Sequence, residues 1–218
     1  IQPQNGWAEQ NPGDWKNAVL ETLSEVRERS GVPAGAIKGI GLSGQMHGLV
    51  MLDEDNEVIR PSIIWCDQRT SGQVEEMLQI MPRVTPNPPL TGWTAAKILW
   101  VKKHEPENYQ KCRHILLPKD YIRQVLTGVF ATEVSDASGM QLLDVQGRCW
   151  SEEVLRALDI DRSLLGEVYE SCEITGTLLP EIAERTGLNA DTIVVGGAGD
   201  NAAAAVGTGV VADGAAFT

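Results

Sequence analysis

The chain has 218 residues, 42% of them hydrophobic and 22% charged, with a formal net charge of −12 and a pI near 4.7. That length supports a real core, and that composition is the one expected of a soluble globular protein. The acidic balance argues against a general affinity for nucleic acid or anionic membrane, and no stretch approaches the roughly 20 apolar residues of a membrane span.

The four cysteines, Cys66, Cys112, Cys149 and Cys172, form no C-x-x-C pair. Reduced thiols in a cytoplasmic protein are therefore expected, with neither a metal site nor a disulfide framework. The opening stretch IQPQNGWAEQNP lacks an initiator Met, and GVVADGAAFT stops within a run of small residues. Both ends read as cuts in a longer polypeptide.

The first predicted element is a helix over 14–30, with Trp15, Val19, Leu23 and Val26 at helical spacing, Asp14 as N-cap and Gly31 as stop. A strand follows over 36–44, with Ile40 and Leu42 on one face. Residues 47–61 read as two strands joined by a hairpin at Asp53–Asn56, and 62–67 as a short buried strand. A helix is expected over 68–81. The four prolines of PRVTPNPPLTG (82–92) predict a long loop of the kind that often binds. Next comes a helix over 93–107, with Ala95, Ile98, Leu99 and Lys102 on one stripe. A strand over 113–118 and a helix over 119–128 with a Gly stop follow. Short helices are expected at 151–160, behind a Ser N-cap with Glu in its first turn, and at 179–188. Strands and helices mix, some strands are joined by hairpins, and the last strand–turn–helix suits a parallel pairing. The expected class is an α/β domain with a mixed sheet.

That last unit is DTIVVGGAGDNAAAAVG (191–207). Gly197-x-Gly199-x-x-Ala202 formally fits a dinucleotide-binding fingerprint. Asp200 argues against that fit, because a carboxylate beside a pyrophosphate is unfavourable without a cation between them. An ionised carboxylate at a helix start, at the carboxyl end of a strand, could accept a proton from a substrate hydroxyl or help hold Mg²⁺. It could equally be a plain helix cap. GLSGQMHG (41–48) also follows a strand, and Gln45 and His47 offer hydrogen bonds beside the soft wall of Met46; the alternative is a tight turn with a surface His. In IIWCDQR (63–69), Trp65 could stack on a sugar while Asp67 or Arg69 bonds its hydroxyls; the alternative is a core Trp with a capping Asp.

These three stretches, with GWAEQNP (6–12), AAKILWVKKHEPE (95–107), LLPKDYIRQVLTG (116–128), TEVSDASGMQLLDV (132–145) and EITGTLLPEIAERTGL (173–188), resemble in order and spacing the FGGY family of carbohydrate kinases. The resemblance implies a ribonuclease H-like (actin/hexokinase-like ATPase) α/β fold. This chain would be a partial N-terminal, sugar-binding domain, lacking its first strands, the GIDLGT-type phosphate loop and the C-terminal nucleotide-binding domain. On its own it would be inactive. The implied reaction is ATP-dependent, Mg²⁺-assisted phosphorylation of a ketopentose. D-xylulose is the favoured acceptor, with L-ribulose, L-xylulose, a polyol or a non-catalytic sugar-binding role as alternatives. Asp200 would be the catalytic base and a metal ligand, and Met46, His47, Asn201, Gln45 and Trp93 would bind the sugar. Trp65, Asp67 and Arg69 receive no role. The partners would be ketopentose and ATP, with a second copy of the chain as a further candidate.

Overall fold

The computed structural model describes residues 1–80 and 88–216. Most of the loop expected at 82–92, and the last residue of the helix expected at 68–81, lie outside the described residues.

Two runs of chain lie parallel at the centre. Ile193–Val195 pairs with Gly39–Ile40, and farther along the same two runs Ala198–Gly199 pairs with Ser43–Gly44. Between these pairings Gly197 takes φ 75°, and a Cβ there would fall 2.1 Å from the Leu42 carbonyl oxygen. The close approach thus requires glycine. Ile174–Thr177 adds antiparallel to the other side of Ile193–Val195, which makes the sheet mixed, as expected. Elsewhere Val50–Leu52 pairs antiparallel with His114–Leu116, and Ala131–Glu133 pairs parallel with Glu167–Tyr169. The hairpin expected at Asp53–Asn56 is present. Asp53 N donates to the Glu57 carbonyl at 3.0 Å, and Asn56 supplies the left-handed turn position.

The strand Val50–Leu52 separates two cores. Leu49 and Met51 face a cluster with Ile63, Ile98, Val101, Leu117 and Trp150, while Val50 and Leu52 face Leu20, Leu126, Ile182 and Val194. This is the two-residue alternation of a strand buried on both faces.

The first helix spans Pro12–Ser30 and ends at Gly31, whose φ is 65°. Its N-cap is Asn11, which accepts from Gly13 N, and not Asp14, which sits in the first turn. Proline at the first helical position moves the N-cap three residues ahead of the expectation. Val26, expected on the buried stripe, is 60% exposed; the fully buried position is Leu20. The expected helix over 93–107 is two helices, Thr94–His104 and Pro106–Lys111, because Pro106 supplies no N–H to continue the first. The helices expected near 119–128, 151–160 and 179–188 are Pro118–Thr127, Glu152–Leu158 and Pro180–Thr186, and Ser151 caps the second of these through Val154 N. The four cysteines are free thiols. Among the described residues no helix is long and apolar enough to cross a membrane.

Candidate active site

The final helix, Asp200–Gly207, starts where the central parallel pairing ends. Asp200 is exposed at its first position, and one carboxylate oxygen accepts from Asn201 N at 2.9 Å. The preceding turn is held from below. Gly199 N donates to Ser135 Oγ at 3.2 Å, and the Arg123 guanidinium donates to the Gly196 carbonyl.

Met46 and His47 come up beside this turn on the chain leaving Ser43–Gly44. Met46 packs so closely on Gly199 that a Cβ there would lie 2.8 Å from Met46 Cγ. The Asn201 amide lies 3.9 Å from Met46 Sδ. His47 has φ 66°, in the left-handed region. Its Nδ1 is 3.0 Å from the Gly139 carbonyl oxygen, and its ring stacks on Trp93 with centroids 5.0 Å apart and planes 8° from parallel. A side chain at Gly139 is excluded, since a Cβ would sit 2.6 Å from His47 Cε1.

The Lys97 ammonium lies beneath this pair, in the Thr94–His104 helix. It donates to the His47 carbonyl and to the Gly92 carbonyl, both at 2.6 Å, and the residue is fully buried. Burial pulls its pKa down to about 7; Asp67 and Cys66 push it back up and Arg69 pushes it further down. Burial also holds the His47 pKa below the usual imidazole value, against the Gly139 hydrogen bond; Lys97 lowers it further and Asp200 raises it. A carbonyl can only accept, so the neutral ring carries its proton on Nδ1. That leaves Nε2 as an acceptor for a hydroxyl.

Met46, His47, Trp93, Asp200 and Asn201 are therefore gathered along one wall. Gln45 is turned elsewhere. Its Nε2 donates to Gln10 Oε1 at 2.7 Å, a group that also accepts from Trp15 Nε1, and it lines a separate cavity of about 200 Å³ with Trp15, Ser43 and Lys119. Asp67 and Arg69 are likewise committed to the interior. Asp67 accepts from Ala8 N at 2.6 Å and pairs with Arg69, whose guanidinium lies 3.8 Å above the Trp7 ring; both side chains are fully buried. The alternative reading of Trp65 as a core residue does not survive, since it is 57% exposed.

A second buried charge cluster underlies the turn. Lys119 Nζ lies 2.8 Å from Asp120 and 3.3 Å from both Glu133 and Asp136, while Arg123 pairs with Asp120 at 2.6 Å. Burial pushes Asp136 up to about 7; Lys119 opposes this, while Asp120 and Glu133 add to it. Two cations thus face three carboxyls, and a proton on Asp136 balances them.

Sequence reasoning missed Lys97, Gly139, Ser135 and Arg123. The available signal was a lysine set inside the apolar run AAKILW, and small residues in SDASG. Among the described residues no group of three or more His, Cys, Asp or Glu could hold a metal.

Residues 1–207 match the N-terminal domain of the FGGY family of carbohydrate kinases. The chain is 43% identical over 218 residues to a xylulose kinase of Bacillus subtilis, covering 98% of this chain and 44% of that protein. It is 41% identical to a xylulose kinase of Escherichia coli, covering 96% and 43%. The crystal structure of a xylulose kinase from Rhodospirillum rubrum superposes with a TM-score of 0.90 at 27% identity, over 98% of this chain and 45% of that one. The chain spans less than half the length of the curated relatives it matches. The structural neighbours have the actin/hexokinase-like kinase fold expected from the sequence.

Proposed function

The chain belongs to the FGGY family of carbohydrate kinases, and from that premise we propose that it forms the acceptor-binding part of an ATP-dependent ketopentose kinase, with D-xylulose the favoured acceptor. The reaction is D-xylulose plus ATP giving D-xylulose 5-phosphate plus ADP. The observation that carries this reading is Asp200, an exposed carboxylate at a helix start on the same wall as Met46, His47 and Asn201.

Asp200 takes the proton of the primary hydroxyl as that oxygen attacks the γ-phosphorus, and the bond to the β-bridging oxygen breaks to release ADP. Phosphoryl transfer depends mainly on positioning and charge stabilisation, so one oriented carboxylate suffices as base. The stacked rings of Trp93 and His47 offer a flat surface to the carbon skeleton. His47 Nε2 accepts from one hydroxyl, and the Asn201 amide can donate to or accept from another. Mg²⁺ would be held by Asp200 together with phosphate oxygens of ATP, which suits a cation that takes one or two carboxylates and completes its shell from phosphate and water. When bound it would supply charge neutralisation on the transferring group.

The test uses the intact protein and sugar-dependent ADP release over a panel of pentuloses, pentitols and glycerol. Wild type should prefer D-xylulose, and Asp200→Ala should lower kcat by about a hundredfold or more while the fold is kept. Preference for L-ribulose, L-xylulose or a polyol would correct the substrate. Sugar binding with no ADP release from wild type would overturn the enzyme reading in favour of a sugar-binding module.

A further inference from the structure

The Thr94–His104 helix is buried on nearly every side, so a lysine inside it needs an explanation. Lys97 is not part of an ion pair at hydrogen-bond distance among the described residues. Its two partners are backbone carbonyls, those of His47 and Gly92. Each carbonyl belongs to the turn that carries one ring of the stacked pair: His47 itself, and Gly92 immediately before Trp93. The two turns are otherwise remote in sequence, and Gly92 also packs closely on Trp65, where a Cβ would lie 2.4 Å from the Trp65 carbonyl oxygen.

We infer that Lys97 is a positioning residue for the acceptor site: its ammonium ties the His47 turn to the Trp93 turn and so fixes the spacing of the aromatic surface on which the sugar rests. It reaches the substrate only through these two rings. An ammonium suits this task because its three donors can reach two carbonyls at once, whereas an apolar side chain would leave both carbonyls buried and unpaired. The tie also explains why His47 tolerates a left-handed backbone, since a strained residue persists where its surroundings over-determine it. The groups facing Lys97 are Asp67, Cys66 and Arg69 from the neighbouring loop, and those facing His47 are Lys97 and Asp200.

The kinetic arm of the test rests on the kinase reading, and the spectroscopic arm does not. In the intact protein, Lys97→Met should raise KM for the ketopentose by about tenfold or more, with kcat and the KM for ATP within about threefold of wild type. The difference in emission between each protein and its Trp93→Phe counterpart isolates Trp93 from the other tryptophans. In wild type this difference should titrate with pH, because protonation of the stacked imidazole quenches the indole. In Lys97→Met the step should shrink to less than half and move to higher pH, since a cation facing His47 has gone. A folded Lys97→Met protein with unchanged sugar KM, or with an unchanged Trp93 titration, overturns the inference. Lys97→Gln, which is uncharged and places its amide nitrogen one bond short of the lysine position, is the second variant should Met prevent folding, and it carries the same expected and overturning results. Absence of sugar-stimulated ADP release in wild type would count against the kinase reading and leave the titration to decide the tie.

Discussion

Lys97 and Lys119 are both buried, at 0% and 2% exposure, and their surroundings drive them in opposite directions. Around Lys97 the acceptors are carbonyl dipoles, too weak to offset burial, and its pKa falls to about 7. Around Lys119 burial pulls the same way, but Asp120, Asp136 and Glu133 outweigh both it and the repulsion of Arg123, and the pKa rises. The same side chain is thus a labile cation under the aromatic wall and a fixed one under the Gly196–Asp200 turn. Burial acts alike on both; what each ammonium faces decides the difference between them.

The comparison breaks most sharply at Lys119. Replacing it with Met leaves Asp120, Glu133 and Asp136 buried with Arg123 alone, and should cost about 3–5 kcal/mol of stability, the scale of a buried charge left unpaired. Denaturant midpoints for the intact protein check this, and a loss below about 1 kcal/mol would mean the carboxyls simply take up protons instead.

A second way to sharpen it is the pH dependence of stability. Lys97 has a folded pKa near 7 against an ordinary 10.5, so across that window the unfolded chain holds more protons and stability rises with pH. Asp136 has a folded pKa near 7 against 3.8, so between those values the native state holds more protons and stability falls as pH rises. The two contributions meet in a minimum near neutrality, each with a slope of up to about 1.4 kcal/mol per pH unit. Unfolding curves from pH 5 to pH 10 should lose the acid limb in Asp136→Asn and the alkaline limb in Lys97→Met. Parallel profiles for either variant and wild type would remove that group from the account. Lys119, with its raised pKa, contributes stability that persists below its ordinary value and is lost only as pH climbs through the higher folded one.

The smallest effect belongs to Ser135, which links the acid cluster to the turn that precedes Asp200. Ser135→Ala removes the acceptor for Gly199 N and the donor to Glu133 Oε1, and should cost about 1–3 kcal/mol, the net worth of two hydrogen bonds. Thermal melts would show a drop of a few degrees with the sugar KM unmoved. A sugar KM that rose as much as in Lys97→Met would merge the two regions into one support.

The sequence made the long elements and the chemistry-bearing turns legible, because both rest on local signals. Gly31 and Gly128 stop helices at their expected places, and the Gly197 turn lies between a strand and a helix as its glycines require. The helix start was misplaced because Asn11 before Pro12 is the stronger cap signal than Asp14. Strands such as Ala131–Glu133 and Glu167–Tyr169 were not legible at all. Three residues carry no period, and they are strands only because each finds the other across the chain. Within the site, Met46 and His47 were legible in the glycine-rich turn of GLSGQMHG, Trp93 and Asn201 came from resemblance, and the orientation of Gln45 toward Gln10 needed coordinates. The buried lysines were hidden by the ordinary expectation that lysine faces water.

Under the proposed acceptor site, the left-handed backbone at His47 bears on how the acceptor range can change. Valine, isoleucine and threonine are strongly disfavoured at φ 66°, and glycine, asparagine and aspartate are the residues that best tolerate it. Single substitutions at position 47 therefore sample mostly small or polar side chains, and a bulky apolar filling for a deoxygenated sugar has to be sought elsewhere. Met46, Trp93 and Asn201 carry no such positive φ. Drift in substrate preference, in nature or in directed evolution, should accumulate at those three positions while 47 stays confined to a narrow alphabet.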